Sequence, residues 1–95
     1  MNSYKYNIKL TKQFDKDLKL AKKRNLDLKL LWVVVRKLAC GEKLDPKYKD
    51  HVLSGSSQNC RECHIRPDWL LIYKIDKGNL ILYLLATGLH SDLFN

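Results

Sequence analysis

Ninety-five residues are enough for one domain with a single modest core, residues 1–95 as a unit, and 45% hydrophobic with 29% charged residues excludes a disordered chain. The formal net charge is +8 and lies almost wholly in the first half, where residues 1–49 carry 14 basic and 5 acidic side chains against 4 and 5 in residues 50–95. Such an imbalance points to a polyanionic partner, most simply nucleic acid, with well-hydrated surface helices as the plainer reading.

Tyr4, Tyr6, Ile8 and Leu10 alternate with Lys5, Asn7 and Lys9, a period of two that predicts a first strand. Thr11 is placed to cap a helix from Lys12 to Arg24, with Phe14, Leu18 and Ala21 on its inner face. Lys12, Lys16, Lys19 and Lys23 form a second stripe on a different face. Like charges at that spacing repel by a few tenths of a kcal/mol per pair, a cost that fits a surface built to meet phosphates and fits a solvated face equally. Asp27 is a plausible cap for a second helix from Leu28 to about Cys40, whose buried stripe is Leu28, Leu31, Val35, Leu38 and Ala39. Gly41 ends it.

A polar loop through Pro46 leads to His51, and Ser54, Gly55, Ser56, Ser57 and Asn59 mark a turn. A strand is expected around Cys60–Arg66, then a corner at Pro67, which has no backbone N–H and cannot sit in a central ladder. Alternation puts Arg61, Cys63 and Ile65 on one face and Cys60, Glu62, His64 and Arg66 on the other. Trp69 to Ile75 is nearly all apolar, as a central strand should be, and Asp76-Lys77-Gly78-Asn79 is a hairpin turn. Leu80 to Leu85 is the last predicted strand, followed by a short tail from Thr87 to Phe94. The expected class is α+β, in the order β-α-α-β-β-β: an antiparallel sheet with a two-helix hairpin packed on one face.

Cys60-Arg-Glu-Cys63-His64 matches the C-x-x-C-H pattern of covalent haem attachment, but a strand would point the two cysteines to opposite faces. The same geometry denies them a shared zinc ion, so neither cofactor nor metal is expected. No stretch is apolar enough to span a bilayer, and the N-terminal Met1-Asn2-Ser3-Tyr4-Lys5 lacks the apolar core of a signal peptide. A cytoplasmic location and free thiols follow as expectations.

The three histidines are the most informative set. His51, His64 and His90 all fall near strand ends or loops, where a sheet rim gathers functional groups, and Asp68 lies four residues beyond His64. Imidazoles divide general-base and general-acid work near neutral pH. With a cationic surface the natural substrate is RNA: a base takes the 2′-OH proton, the oxygen attacks the adjacent phosphate, and an acid protonates the leaving 5′-oxygen. Trp69 and Phe94 are candidates for stacking on an exposed base.

Three stretches carry a resemblance. Tyr48-Lys49-Asp50-His51-Val-Leu-Ser-Gly55, Arg61-Glu62-Cys63-His64-Ile65-Arg66-Pro67-Asp68-Trp69-Leu-Leu-Ile-Tyr73 and Thr87-Gly88-Leu89-His90-Ser91-Asp92-Leu93-Phe94 strongly resemble the YafQ branch of the RelE/ParE toxin superfamily, in the right order and over nearly the whole chain. The resemblance implies a RelE-like fold and the toxin of a type II toxin–antitoxin pair, a ribosome-dependent endoribonuclease cutting mRNA in the A site. It implies a small antitoxin of the DinJ/RelB kind as partner, in a hetero-oligomeric complex. Position by position it makes His51, His64, Asp68 and His90 the catalytic group and Phe94 an aromatic that orients mRNA. Lys12, Lys16, Lys19, Lys23, Lys49, Arg61, Arg66 and Trp69 complete the expected RNA contacts. Two positions depart from the pattern: Ala86 stands where many relatives have arginine, and Leu89 where Ser or Thr is usual. The missing guanidinium makes a weakened or inactive ribosome-binding toxin the alternative; a ParE-like relative acting on gyrase is disfavoured by the three histidines.

Overall fold

The structure, a computed structural model, describes residues 4–55 and 59–93. Its elements in chain order are β1 (Asn7–Leu10), α1 (Lys12–Lys23), α2 (Leu28–Ala39), a 3-10 turn (Pro46–Tyr48), β2 (His51–Val52), β3 (Arg61–Arg66), β4 (Trp69–Asp76), β5 (Ile81–Leu89) and α3 (His90–Leu93).

Local chemistry accounts for the helix ends. The Thr11 hydroxyl accepts from the Phe14 amide at 3.0 Å and caps α1, while the Asp27 carboxylate accepts from the Lys29 amide at 3.1 Å and caps α2. Both helices close with the paired bonds of a Schellman motif. After α2 the Gly41 and Glu42 amides donate to the Leu38 and Lys37 carbonyls, and Gly41 takes a φ of +79°, where a side chain would be strained. After α1 the same role falls to Asn25 (φ +57°), the next-best residue for that conformation.

The strands form one sheet in the order β1-β5-β4-β3-β2, with β4 at the centre. It is mixed rather than wholly antiparallel, because β1 runs parallel to β5, with Leu10 opposite Leu84. The helical hairpin explains this. It returns the chain to the start of β1, where the Lys5 and Tyr6 amides both donate to the Ala39 carbonyl, and β1 is left as an edge strand beside the last one. The first strand is also shorter than its alternation predicts, and two residues at His51–Val52 add a fifth strand, paired with Glu62 and Arg61.

The core lies between the helices and one sheet face. Phe14, Leu31, Val34, Val35 and Leu38 meet Cys63, Ile65, Trp69, Leu71, Tyr73, Leu82 and Leu84, all buried. At about 25 cal/mol per Å² of apolar surface, burial of these side chains is the main stabilising term. The predicted last strand is too short: β5 continues to Leu89, and the residues read as the start of a tail, Thr87 to Leu89, belong to it. A bulge explains the change of appearance. Ile72 pairs with Ala86 but Tyr73 pairs with Leu84, so Leu85 is the extra residue. Helix α1 serves the groups freed there, with the Thr11 hydroxyl donating to the Leu85 carbonyl at 2.9 Å and the Thr87 amide donating to Asp17 at 3.1 Å. Beyond the bulge, α3 folds back over the other sheet face, where Leu93 lies against Gly88.

Candidate active site

That other face has a row of chemistry at the β2–β3 end. Glu62 and His64 are two residues apart on β3, so they share a face, and β2 sets His51 opposite Glu62. The His51 Nε2 lies 3.3 Å from Glu62 Oε1 and the His64 Nε2 lies 3.9 Å from the same oxygen. The two imidazole centroids are 6.5 Å apart. Glu62 is only 8% exposed, whereas His51 is exposed and His64 half-buried, so a sheltered carboxylate is placed between two reachable rings.

The backbone decides which nitrogen of each ring is available. His51 Nδ1 is 2.6 Å from the Lys49 carbonyl, and His64 Nδ1 is 3.1 Å from the Pro67 carbonyl. A carbonyl only accepts, so each Nδ1 carries a hydrogen and donates it. Nε2 is then the atom on both rings that gains or loses a proton, and both Nε2 atoms face Glu62. Lys49 aims its carbonyl from a left-handed conformation (φ +49°, ψ +41°) at the end of the 3-10 turn, an uncommon backbone state for a side chain of this size.

The predicted group continues along the same rim. Pro67 and Asp68 form the two-residue turn between β3 and β4, and the His90 amide donates to the Asp68 carbonyl at 2.9 Å. His64, Asp68 and His90 thus sit at one end of three adjacent strands, with Asp68 and His90 exposed. At the end of α1, Arg24 pairs with Asp92 of α3 at 3.0 Å and ties the lysine-bearing helix to the element that begins with His90.

Several predicted RNA contacts are placed otherwise. Trp69 cannot stack on a base, because it is wholly buried in the core with its Nε1 donating to the Thr87 hydroxyl at 3.0 Å. Thr87 in turn donates to the Leu70 carbonyl at 2.7 Å, so the indole closes a satisfied interior network. Arg61 is turned away from the histidines: alternation puts it on the helix side of β3, where its Nε donates to Asp50 at 3.3 Å. Lys12, Lys16, Lys19 and Lys23 are all exposed, on the outer face of α1 opposite buried Phe14 and Ala21. Lys49 and Arg66 are exposed beside His64. Phe94, and Ser56 and Ser57 of the predicted turn, lie outside the described residues.

Sequence reasoning passed over Glu62 and the layer that supports His51. Asp50 lies next to His51 and accepts from the buried Tyr73 hydroxyl at 2.5 Å as well as from Arg61. Burial first, and then the bond to Asp50, hold the Tyr73 phenol above its ordinary range. Burial, then the Asp50 and Glu62 carboxylates, push the Cys63 thiol up to about 12, so it is a core group rather than a nucleophile. Among the described residues no three His, Cys, Asp or Glu side chains form a group that could hold a metal ion, and no helix is long and apolar enough to cross a membrane.

Position 86 is also settled in space. Glu62 pairs with Ile72 and Ile72 with Ala86, so Ala86 stands in the same cross-strand row as Glu62, two strands away. Strand spacing makes that separation about 10 Å.

Comparison with known proteins places this chain among relatives. A family model described as "Bacterial toxin of type II toxin-antitoxin system, YafQ" matches residues 6–95. The mRNA interferase toxin YafQ of Escherichia coli (strain K12) is 42% identical over 89 residues, covering 92% of this chain and 94% of the relative. A metal-bound toxin from Helicobacter pylori has a crystal structure that superposes with a TM-score of 0.89 at 50% identity, over 94% of this chain and 99% of that one. A chain of the E. coli DinJ-YafQ toxin-antitoxin complex superposes with a TM-score of 0.88 at 38% identity, over 96% and 99%.

Proposed function

The chain belongs to the YafQ family of bacterial type II toxin–antitoxin toxins, and from that premise we propose that it is an mRNA interferase that cuts message in the A site of a translating ribosome. The observation that carries the chemistry is the pair of Nε2 atoms facing one carboxylate oxygen of Glu62 on an accessible rim. One of these nitrogens takes the 2′-OH proton, the freed oxygen attacks the adjacent phosphorus, and as the bond from phosphorus to the 5′-oxygen breaks a protonated imidazole gives that oxygen its proton. The products are a 2′,3′-cyclic phosphate and a 5′-hydroxyl. Glu62 orients both rings, while Asp68 and His90 meet the phosphate from the β4–β5 end. No step passes through a metal.

The partner is an antitoxin of the DinJ kind, supported by the structural likeness to the DinJ-YafQ complex. The toxin acts in the compartment where ribosomes translate. The exposed lysines of α1 hold ribosomal RNA, an attraction that falls steeply with salt.

The test is cleavage of message on programmed ribosomes by the purified protein. His64→Ala is expected to cost ~100-fold or more in rate, as loss of an acid–base group does, and Glu62→Gln, which leaves the rings less firmly oriented, up to ~100-fold, with antitoxin binding retained. EDTA is expected to leave the rate unchanged. Full cleavage by the His64→Ala protein would refute the reading.

A second reading has its own observation. The row Glu62–Ile72–Ala86 carries no cation, where a guanidinium at position 86 would face the reacting phosphate. On that reading the protein binds the ribosome and an antitoxin but cleaves weakly. Removal of one well-aimed donor costs ~100- to 1000-fold.

A further inference from the structure

Strand β2 pairs with Glu62 and Arg61, and among the described residues no strand lies on the outer side of the remainder of β3. A cleft of about 460 Å³ opens there between β3, α2 and the 3-10 turn, and His64 forms part of its wall. Its lining combines two chemistries. Val33 of α2, an apolar residue left 48% exposed, and the Tyr48 ring supply flat apolar surface. Lys47, Lys49 and Arg66 supply three cations, and among the described residues no carboxylate lines the cleft. The Lys47 ammonium lies 5.2 Å from the Tyr48 ring centroid, so ring and cation are presented together. Lys49 serves both places: it lines the cleft, and its carbonyl holds His51.

We propose that this cleft is a nucleotide subsite, which takes the base of the single-stranded RNA nucleotide next to the scissile phosphate against Tyr48 and Val33 and the flanking phosphates on Lys47, Lys49 and Arg66. The inference rests on the ribonuclease reading and extends it to substrate positioning. Size agrees, since small-molecule sites commonly span ~300–1,000 Å³. Composition agrees too: an apolar floor takes a base without reading its edge, and a cationic rim follows the backbone. The wall shared with His64 sets the reacting phosphate beside the imidazole when the cleft is filled. An acidic peptide from an antitoxin is the competing occupant, but a peptide needs no flat wall beside a catalytic imidazole.

The experiment measures binding of a fully 2′-O-methylated RNA hexamer to the whole protein by fluorescence anisotropy at fixed salt, together with steady-state cleavage on ribosomes. Val33→Glu puts a carboxylate among the three cations, and Lys47→Gln keeps the fold while removing one of them. Both are expected to weaken hexamer binding, Val33→Glu by about tenfold or more, the scale of a lost base contact, and to raise KM with kcat held. A hexamer with an abasic position at that nucleotide is expected to bind the parent about tenfold more weakly and Val33→Glu no worse than it binds the parent. Unchanged hexamer affinity and KM in both variants, with the parent cleaving normally, would overturn the subsite and leave the ribonuclease reading standing. Hexamer binding sensitive to both variants in a parent that cleaves nothing would support the subsite and sink the ribonuclease reading. Loss of antitoxin binding in Val33→Glu with hexamer affinity intact would assign the cleft to the antitoxin and overturn the proposal.

Discussion

Tyr73→Phe removes one oxygen from the interior and leaves the ring that packs it. The phenol is 1% exposed and donates to Asp50 at 2.5 Å, and Asp50 has only the Arg61 Nε, at 3.3 Å, as its other side-chain donor among the described contacts. A hydrogen bond to a charged group contributes ~1.5–3 kcal/mol, so the substitution is expected to cost about 2 kcal/mol. For a domain of this size each kcal/mol moves Tm by ~4–8 °C, which predicts a fall of about 10 °C. The consequence for activity follows from position. Asp50 anchors the short segment from which Lys49 and His51 reach the site, and β2 holds that segment by two residue pairs only. Released from Tyr73, His51 is expected to lose its register over Glu62, and in the proposed mechanism a misplacement on the order of 1 Å costs up to ~100-fold. The assay is thermal denaturation beside single-turnover cleavage, with Asp50→Asn and the double variant completing a cycle. A double variant no worse than either single would show that the two side chains act as one unit. A Tm within a degree of the parent and an unchanged rate would refute the reasoning.

Replacing Lys12, Lys16, Lys19 and Lys23 with Gln is expected to weaken ribosome binding and flatten its salt dependence while folding barely changes, since exposed charges contribute little to stability; an unchanged salt slope would reduce the stripe to a solvated face. Ala86→Arg is expected to raise the cleavage rate tenfold or more if the row that Ala86 shares with Glu62 lacks a charge it can use, and no gain over a parent that already cuts fast would mean another cation fills the role. Cys63, raised from 9.0 to about 12, favours its protonated form more in the folded chain than in the unfolded one. Its contribution is therefore complete below pH 9 and is lost as pH rises towards 12, with Tyr73 adding a loss of the same sign. Denaturation midpoints are expected to fall between pH 9 and pH 11, and iodoacetamide at pH 8 to spare Cys63; rapid alkylation of Cys63 in the native protein would contradict its placement.

The parts of the fold that local chemistry decides were legible in advance. Thr11, Asp27 and Gly41 have short-range reasons to sit where they do, and each helix begins and ends as those residues require. What was missed depends on distant partners. Parallel pairing of β1 with β5 is decided by where the helical hairpin returns the chain, and alternation within residues 4–10 carries no trace of it. Thr87 and Gly88 read as tail chemistry because turn formers are common in loops; the bulge at Leu85 turns Thr87 inward, where it is buried against Trp69.

The site divides in the same way. His51, His64, Asp68 and His90 stand out in the sequence by type and place, and the fold sets the His51 ring 6.5 Å from that of His64 and the His90 amide on the Asp68 carbonyl. Glu62 looked like any acidic residue on a strand, yet its offset of two from His64 already put both on one face. Trp69 was misread for want of the same rule, since Leu71 and Tyr73 share its face and are buried with it.

The central claim is that the attacking oxygen belongs to the RNA itself and that imidazoles alone move its proton. A message carrying a single 2′-O-methyl group at the scissile nucleotide, presented on programmed ribosomes, tests this most directly. The account predicts no cleavage of that message, and from the unmodified one a 2′,3′-cyclic phosphate and a 5′-hydroxyl end. Cleavage of the methylated message, or a 5′-phosphate on the product, would show that water is the nucleophile and contradict it.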